Sequence, residues 1–429
     1  MSMITRDQAI ELDQNDPLNK FVGQFVRTDP NLCYLDGNSL GRLPKKTIEN
    51  INNFLFNEWG AELVNGWVNW IDEAQQVGDL LGAAALGSKP GQVLVADTTS
   101  VNFYRACKAA IQARPNRKTV IIDEANFPTD RYVLQGIADE LKLNLVTIQN
   151  DIKTMDGKYN ESNELITPQV LETYLNEDVA LVTFSVIQYR SGALNDIRQL
   201  TELVHRFGSL VVWDASHAVG VVDLQFDKNN VDLAIGCTYK YGNSGPGSPA
   251  WIYVNKKLQN EINMPIQGWF AQKDQFIMGS QFERADGMRG FQIASPSILG
   301  LRCVKTSFEL IQEATLKLIS QKAAIGTNMM IEIFDERLKP LGFKLATPRD
   351  SQMRGGHISI HHKDAEKIAR GLRIDKNVIP DYRVPDCIRL AISPLTNTYV
   401  EIWDGMDRIA EYVKSGDFHK IGEPKTSVT

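Results

Sequence analysis

An acid, an imidazole and a lysine follow two apolar segments of the chain at the points where those segments end. Asp214 and His217 come directly after residues 210–213, and Lys240 follows residues 233–235. Because ligands of α/β sheets bind beyond the carboxyl ends of the strands, we expect these side chains to meet at one edge of a sheet. A lysine amine can hold an aldehyde covalently, and a carboxylate can keep a pyridine nitrogen protonated. The set therefore indicates pyridoxal phosphate chemistry.

The phosphate of that cofactor needs hydrogen-bond donors, which the start of a helix supplies through its free backbone amides. Residues 97–102 follow the apolar run 93–96 and open a helical pattern over 103–113. This segment is therefore the candidate for the phosphate site. Each signal alone is weak, since a strand-end acid is often only a helix cap. Their order along the chain is what makes the set informative.

The elements that must position these residues are short apolar segments rich in β-branched residues, separated by helical patterns. Continuous apolar strands that alternate with helices are typical of a mostly parallel sheet covered on both faces. We predict strands at 93–96, 119–122, 145–148, 179–184, 210–213, 233–235 and 250–254. The predicted fold class is α/β, with a large domain built on this seven-stranded sheet between helices.

The chain of 429 residues exceeds the roughly 250–300 residues at which a single core stops growing, so we expect more than one domain. Amphipathic helical patterns at 304–318 and 321–337, a strand-like His357–His361 and a helix near 399–412 predict a smaller α+β domain. The expected parts are an N-terminal segment at 1–60 that joins the small domain and the active-site edge, a large cofactor-binding domain at 61–303, and the small domain at 304–429.

Composition narrows the class of protein. The 46 basic and 52 acidic residues give a net charge of −6, which argues against a nucleic-acid binder. No apolar run approaches the roughly 18 residues of a membrane span, and no signal peptide is visible, so we expect a cytoplasmic protein. The scattered cysteines read as reduced thiols rather than disulfides or metal ligands. They are Cys33, Cys107, Cys237, Cys303 and Cys387.

Three histidines near residue 360 suggest a metal site at first sight. In His357–His361 the residues alternate with period two, which predicts isoleucines facing inward and histidines on the solvated outer face of a strand. No acidic or cysteine ligand lies at metal spacing from them or from His362. We therefore predict no metal.

The chemistry-bearing segments together resemble the kynureninase family of fold-type-I pyridoxal-phosphate enzymes. The Phe-Pro-Thr-Asp sequence at 127–130 and the late Arg389 are more specific than the general cofactor pattern. Matching segments occur in family order across almost the whole chain, at 36–41, 99–102, 126–130, 189–192, 214–220, 239–240, 268–270 and 384–389.

The resemblance implies roles for the cofactor-binding residues. Lys240 would attach the cofactor and later move a proton, and Asp214 would pair with the pyridine nitrogen, with His217 beside it. Tyr239 would join the phosphate site and relay a proton. The further cofactor residues that the resemblance implies are Thr99 and Ser100 at the phosphate, Phe127 stacked on the ring, Pro128, Thr129 and Asp130 in the pocket wall, and Trp269 and Ser295 from the neighbouring subunit of a homodimer.

The resemblance also implies the reaction, which is hydrolysis of the Cβ–Cγ bond of L-kynurenine or 3-hydroxy-L-kynurenine to an anthranilate and L-alanine. Arg389 would hold the substrate α-carboxylate in a bidentate pair, which suits a guanidinium. Ser39 would lie near the aryl ring, and Trp59 would form part of the substrate wall.

Two departures from the family pattern keep their hydrogen-bonding capacity. Gln188 stands where Asn is more frequent, and Ser295 stands where Asn or Thr is usual. The match near Trp59 is loose, which leaves the ring preference open. Three alternatives also stay open: a kynureninase-like hydrolase of a modified aryl-ketone amino acid, a lyase such as a cysteine desulfurase with Cys387 as nucleophile, and a binding module without turnover.

Overall fold

The computed structural model describes residues 4–149 and 164–422. Its strands, in chain order, are β1 Cys33–Tyr34, β2 Val93–Val95, β3 Thr119–Asp123, β4 Asn144–Ile148, β5 Val179–Ser185, β6 Leu210–Asp214, β7 Leu233–Gly236, β8 Trp251–Val254, β9 Lys344–Leu345, β10 His357–His361, β11 Val378–Ile379, β12 Asp381–Arg383 and β13 Cys387–Ala391.

The helices divide into α-helices and shorter irregular turns. The α-helices are α1 Arg6–Gln14, α2 Asn19–Val22, α3 Lys45–Asn53, α4 Gly60–Glu62, α5 Trp67–Trp70, α6 Glu73–Leu81, α7 Thr99–Gln112, α8 Pro128–Leu141, α9 Pro168–Glu172, α10 Ile197–Arg206, α11 Ile298–Ala314, α12 Leu316–Ile333, α13 Ala365–Asp375 and α14 Tyr399–Ser415. Segments of π-helix lie at Phe54–Trp59, Gly82–Leu86 and Phe334–Leu338. Turns of 3-10 helix lie at Leu63–Gly66, Trp269–Ala271, Gln275–Ile277, Gly287–Phe291, Lys339–Leu341, Ser351–Met353 and Asp417–Lys420.

The central sheet has seven strands in the order β2-β8-β7-β6-β5-β3-β4. Strand β8 runs antiparallel to both of its neighbours, and the others run parallel to one another. All seven predicted strands and the predicted fold class are confirmed. The reason is that helices cover both faces, so β5 and β6 are buried along their whole length and read as continuous apolar runs.

A second, four-stranded antiparallel sheet lies in the C-terminal part of the chain, in the order β12-β13-β10-β9. The N-terminal residues join this part, since β1 pairs in parallel with β11 and Arg6 forms an ion pair with Asp404 at 2.7 Å. The carboxylate of Asp13 accepts hydrogen bonds from the first backbone amides of α14, at Tyr399 and Val400. These N-terminal residues are thus bound to α14 and β11.

Two details of the C-terminal part differ from the sequence prediction. The predicted helix at 304–318 ends at Ala314, because Thr315 has a φ of 66° and begins a new helix in another direction. The second difference concerns the histidines of β10, which are buried rather than solvated. The exposed area of His357 is 0%, and its ring centroid lies 6.0 Å from that of His217 in the large-sheet part.

The prediction of a solvated histidine face was wrong because β10 is covered on both sides. His361 is paired with Asp386 at 2.9 Å, and the His362 ring packs on Phe343. In the residues that the structure describes, no group of three His, Cys, Asp or Glu side chains could hold a metal ion. None of the helices in these residues is long and apolar enough to cross a membrane.

The buried His357 should make the protein less stable in acid. Burial, with the charges of Arg389 and Lys240 nearby, lowers the pKa of His357 to about 3 from 6.5. Between these two values the unfolded chain takes up a proton that the folded chain does not, so stability falls as the pH falls. From about pH 7 to about pH 4, the unfolding free energy should fall less in His357→Gln than in the wild type. We expect the difference to be on the order of 3 kcal/mol. Urea unfolding across that range measures it, and parallel curves for the two proteins would contradict it.

Candidate active site

The candidate site lies at the carboxyl edge of the large sheet. Strands β2, β3, β5, β6 and β7 all point toward this edge, because only β8 among the sheet's described strands runs the other way. The segments that leave these strands carry the predicted residues, which are Thr99 and Ser100 after β2, Phe127 to Asp130 after β3, Tyr189 after β5, His217 after β6, and Tyr239 and Lys240 after β7. The topology thus places them at one edge, as ligand sites in such sheets require.

Lys240 and His217 are in direct contact. The Nζ atom of Lys240 lies 3.2 Å from His217 Nε2 and 5.9 Å from the centroid of the Phe127 ring. Burial lowers the pKa of the Lys240 amine, and burial together with the Lys240 charge lowers the pKa of His217. A lowered amine pKa raises the fraction of neutral lysine, which is the form that attacks an aldehyde.

Two buried carboxyl groups, Asp214 and Asp130, lie side by side. Asp214 is the last residue of β6, and its Oδ1 accepts a hydrogen bond from the backbone amide of Ser216 at 2.7 Å. Asp130 is buried in the first turn of α8, and its Oδ2 has no hydrogen-bond partner. Burial and the neighbouring Asp214 raise the pKa of Asp130 well above its usual value. Asp130 therefore tends to stay protonated, while the pair offers a negative site for a protonated ring nitrogen.

The ring of Phe127 lies near two groups of the site, the Tyr189 ring and the Lys240 amine. Its backbone amide donates to Asn126 Oδ1 at 2.8 Å, and its ring meets the ring of Tyr189 edge-on, at 5.3 Å and 89°. Pro128 opens α8, a position where its missing N–H costs nothing, and Thr129 follows it. The local sequence therefore fixes where the aromatic face points.

The start of α7 forms an anion site. Thr98 caps the helix by accepting from the amide of Val101, and Thr99 and Ser100 are the first helical residues. The preceding Asp97 has a φ of 58° and pairs with Arg105 at 2.5 Å. The amides and hydroxyls of this first turn are suited to a phosphate.

The loop that carries Ser39 packs on the backbone of Lys240. The amide of Gly41 donates to the Tyr239 carbonyl at 2.8 Å, and a Cβ atom at Gly41 would lie 2.4 Å from the Lys240 carbonyl oxygen. Only glycine fits there. Cys237 and burial raise the pKa of the Tyr239 phenol, so the phenol keeps its proton.

Arg389 brings the small sheet into the site. Its side chain is 1% exposed and binds Asp381, which lies directly opposite it in the β12–β13 pair. It also donates to the Tyr189 carbonyl at 2.6 Å, to Ser39 Oγ at 3.1 Å and to His217 Nε2 at 3.4 Å. One imidazole thus contacts both the Lys240 amine and the Arg389 guanidinium.

Three predicted residues lie away from this cluster. Trp59 is 52% exposed and Trp269 is 43% exposed, and Ser295 is exposed as well. No hydrogen bond or ring contact within the described residues joins them to Lys240, Asp214 or Arg389. Trp269 packs on Phe270 and Phe276, and Phe270 also meets Trp67, so these aromatic residues form one partly exposed surface.

Sequence reasoning missed two acids of the site, Asp381 and Asp36. Asp381 was hidden because its relation to Arg389 depends on strand register, which the sequence does not reveal. Asp36 is half-buried near them, and desolvation together with the Asp381 charge raises its pKa to about 6. Its place in the Ser39 loop was the signal that could have pointed to it.

The residues at the sheet edge fit pyridoxal phosphate. A partly buried lysine with a lowered pKa suits its aldehyde, and the Asp130–Asp214 pair with an unpartnered Oδ2 suits its ring nitrogen. Phe127 offers an aromatic face, and the first turn of α7 offers donors for the phosphate.

Comparison with known proteins identifies close relatives in sequence. Residues 319–409 match the family model of the kynureninase C-terminal domain. The kynureninase of Pseudomonas fluorescens is 32% identical over 415 residues, which cover 95% of each chain. The kynureninase of Geobacillus thermodenitrificans is 33% identical over 430 residues, which cover 99% of this chain and 98% of the relative.

Solved structures of low sequence identity share the fold. A NifS-like protein has a TM-score of 0.71 at 16% identity, covering 90% of this chain and 100% of its own. A cysteine desulfurase of Thermococcus onnurineus has a TM-score of 0.75 at 16% identity, covering 92% and 98%. A C-DES variant with glycine covalently linked to its PLP cofactor has a TM-score of 0.74 at 15% identity, covering 95% and 100%. These likenesses confirm the predicted fold, pyridoxal-phosphate fold type I.

Proposed function

Because the chain belongs to the kynureninase family of pyridoxal-phosphate-dependent hydrolases, we propose that Lys240, Asp214 and Arg389 carry the hydrolysis of L-kynurenine at the edge of the large sheet. The bond cleaved is the Cβ–Cγ bond, and the products are anthranilate and L-alanine. The single observation that carries the assignment of residues is the His217 ring, which contacts the Lys240 amine at 3.2 Å and the Arg389 guanidinium at 3.4 Å. That spacing brings a cofactor-binding amine and a carboxylate-binding cation to one substrate.

Lys240 has two tasks. Its amine would hold the cofactor at the aldehyde carbon and would move the proton between the substrate Cα and C4′ of the cofactor. Burial lowers the pKa of this amine, so a larger fraction of it is neutral than in an exposed lysine at the same pH. Only the neutral amine can accept the proton from the substrate Cα. The neutral His217 contacts the amine and holds it in place, and it adds no second positive charge beside it.

Asp214 and Asp130 hold a proton on the ring nitrogen of the cofactor. Bound pyridoxal phosphate supplies an electron sink for charge that develops at the substrate Cα. The Asp214 carboxylate stabilises the protonated ring nitrogen, and the protonated Asp130 lowers the electrostatic cost of keeping Asp214 charged. Phe127 stacks on the ring, and Pro128 and Thr129 shape the adjoining wall.

Thr99 and Ser100 bind the phosphate at the start of α7, with the Tyr239 side chain beside it. Tyr239 also acts as an acid and base. Because its phenol pKa is raised, it stays protonated at neutral pH and donates a proton to the γ-carbonyl oxygen as water adds to that carbon.

Arg389 binds the substrate α-carboxylate, and Asp381 fixes the plane of the guanidinium. Ser39, which accepts from Arg389 at 3.1 Å, lies on the loop that faces the aryl ring of the substrate. Trp59 adds to the substrate wall from the π-helical segment Phe54–Trp59.

A fluorescence assay tests this function. Purified protein with added pyridoxal phosphate and L-kynurenine should release fluorescent anthranilate in proportion to enzyme, together with equimolar L-alanine. The same assay with 3-hydroxy-L-kynurenine and ring-substituted analogues assigns the ring preference. Absence of product at every enzyme concentration and with every analogue would refute the proposal.

A cysteine desulfurase reaction has no support at Cys387. This residue lies in β13, its thiol is 2.8 Å from Ser359 Oγ, and burial raises the pKa of the thiol to about 11. A desulfurase needs a reactive thiolate on a mobile loop, whereas a buried strand thiol stays protonated.

We propose a homodimer in which each site is completed by the partner. The support is the exposed aromatic surface around Trp269, because a surface of this kind is more usual at an interface than in solvent. In that arrangement Trp269 and Ser295 reach the phosphate of the neighbouring subunit.

Mixing two defective variants tests the shared site. Lys240→Ala and Trp269→Ala subunits, each weak alone, should recover activity when unfolded and refolded together, because one site of each mixed dimer receives both native residues. At equal amounts we expect about a quarter of the wild-type activity. Activity no higher than the sum of the two variants would show that each site belongs to a single chain.

The division of the chain and its location are further proposals. Pairing of β1 with β11 supports an N-terminal segment at 1–60 that joins the small domain at 304–429, beside a cofactor-binding domain at 61–303. Free cysteines at all five positions agree with a cytoplasmic protein.

A further inference from the structure

A buried carboxylate with no part in the proposed chemistry lies directly behind Phe127. Asp123 is the last residue of β3, and its exposed area is 0%. Its Oδ1 accepts from the Asn126 amide at 3.0 Å, and its Oδ2 accepts from the Gln188 amide at 2.8 Å. Both amide side chains are buried as well. Burial raises the pKa of Asp123 to about 6, and the two donors act against that effect by stabilising the charged form.

One arm of this arrangement leads to the cofactor side of the site. The Oδ1 atom of Asn126 accepts from the backbone amide of Phe127 at 2.8 Å and from Ser185 Oγ at 2.9 Å. Because Asp123 fixes the other end of the same amide group, the Asn126 side chain cannot turn over without losing three hydrogen bonds. The position of Phe127 therefore depends on the Asp123 carboxylate.

The other arm leads to the substrate side. The backbone of Gln188 is held in its turn, since its amide donates to the Ala193 carbonyl at 2.8 Å and its carbonyl accepts from Gly192 at 2.9 Å. The next residue is Tyr189, whose ring packs on Phe127 and whose carbonyl accepts from Arg389 at 2.6 Å. The Gln188 side chain thus connects the same carboxylate to the Arg389 contact.

We infer that Asp123 and Gln188 form a positioning pair that sets the aromatic face of Phe127 and the guanidinium of Arg389 relative to each other. This inference rests on the proposed function, in which Phe127 stacks on the cofactor and Arg389 binds the substrate carboxylate. Neither Asp123 nor Gln188 touches substrate in this scheme. They act through Asn126 and Tyr189.

The length of the Gln188 side chain is essential to the pair. Asn is shorter than Gln by one methylene, or about 1.5 Å. That difference would extend the 2.8 Å contact beyond hydrogen-bonding distance and leave a buried carboxylate oxygen without its donor. A glutamate at 123 adds one methylene from the opposite side, so the two changes together should close the gap again.

The experiment compares Q188N, D123E and the double variant D123E/Q188N with the wild type. For Q188N we expect KM for kynurenine to rise about tenfold with a smaller change in kcat, and the circular dichroism of the bound cofactor to change, because both Arg389 and Phe127 shift. The double variant should return both quantities to within about twofold of the wild type. Thermal unfolding of each holoenzyme shows whether the variants are folded.

Gln199 provides a matched control. Its amide also donates to an aspartate, Asp196, at 2.6 Å, but on the exposed start of α10, so Q199N should leave KM and the dichroism unchanged. The inference fails if Q188N matches the wild type in KM and dichroism. It also fails if the double variant is no better than Q188N in these two quantities. If Q188N alone does not fold, the same measurements on the double variant decide. Failure of the proposed function looks different, because the wild type itself would then release no anthranilate.

Discussion

Replacing Lys240 with alanine is expected to lower kcat for kynurenine hydrolysis by at least about ten-thousand-fold. The reason is that one amine performs two tasks, holding the cofactor and moving the proton at the substrate Cα. Within the described residues, Lys240 is the lysine whose amine contacts His217, so no second lysine can replace it there. Steady-state anthranilate fluorescence measures the loss. Borohydride treatment followed by peptide mass analysis should fix the cofactor to residue 240 in the wild type and nowhere in the variant.

The matched control for this change is Lys257→Ala. Lys257 is exposed, and its amine donates a hydrogen bond to Asn230 Oδ1 at 3.0 Å. We expect this variant to keep wild-type turnover and cofactor content. Turnover by Lys240→Ala above about one hundredth of the wild-type rate would place the proton transfer on another group.

Replacing Arg389 with alanine is expected to cost on the order of 3 kcal/mol in kcat/KM, which is a loss of about 150-fold. The buried guanidinium is the cation nearest to His217 after Lys240, and a charge-assisted pair with the substrate carboxylate is lost with it. The visible absorbance of the bound cofactor should stay the same, because Arg389 does not hold the cofactor. Steady-state kinetics with kynurenine and absorbance spectra of the holoenzyme give the two readouts.

A substrate analogue and a second arginine make this test specific. The amine that lacks the α-carboxylate of kynurenine should inhibit the wild type and Arg389→Ala equally, since it has no group for the guanidinium. Arg383 also pairs with Asp381, at 3.0 Å, but its side chain is partly exposed, so Arg383→Ala should change kcat/KM little. Weaker inhibition of Arg389→Ala by the decarboxylated amine would show that Arg389 acts on something other than the carboxylate.

The large sheet and the cluster at its edge were predictable because both follow from local patterns. Strands buried on both faces are continuous apolar runs, and the loops after them carry His217 and Lys240. The rule that ligands bind beyond the strand ends then brings these residues together without knowledge of the tertiary structure. Their catalytic roles remain predictions until the variants above are measured.

The features that were not predicted depend on packing between distant segments. His357 looked solvated because alternation with isoleucine is also the pattern of a half-exposed strand, and only the contact with the His217 part of the chain buries it. Asp381 meets Arg389 through strand register, and the helix break at Thr315 depends on a positive φ for a residue type that rarely adopts one. The proposed roles of Trp269 and Ser295 involve a neighbouring subunit, which the pattern of a single chain does not describe.

The acceptors around Arg389 have a consequence for selectivity. Its guanidinium donates to Asp381, the Tyr189 carbonyl, Ser39 and His217, so an incoming molecule must displace one of these acceptors. A carboxylate gains when it displaces the Tyr189 carbonyl, Ser39 or His217, because an anion then replaces a neutral oxygen or nitrogen atom. A ketone, alcohol or amide in the same place replaces one neutral acceptor with another. Discrimination against metabolites without an acid group is therefore present before any of them arrives.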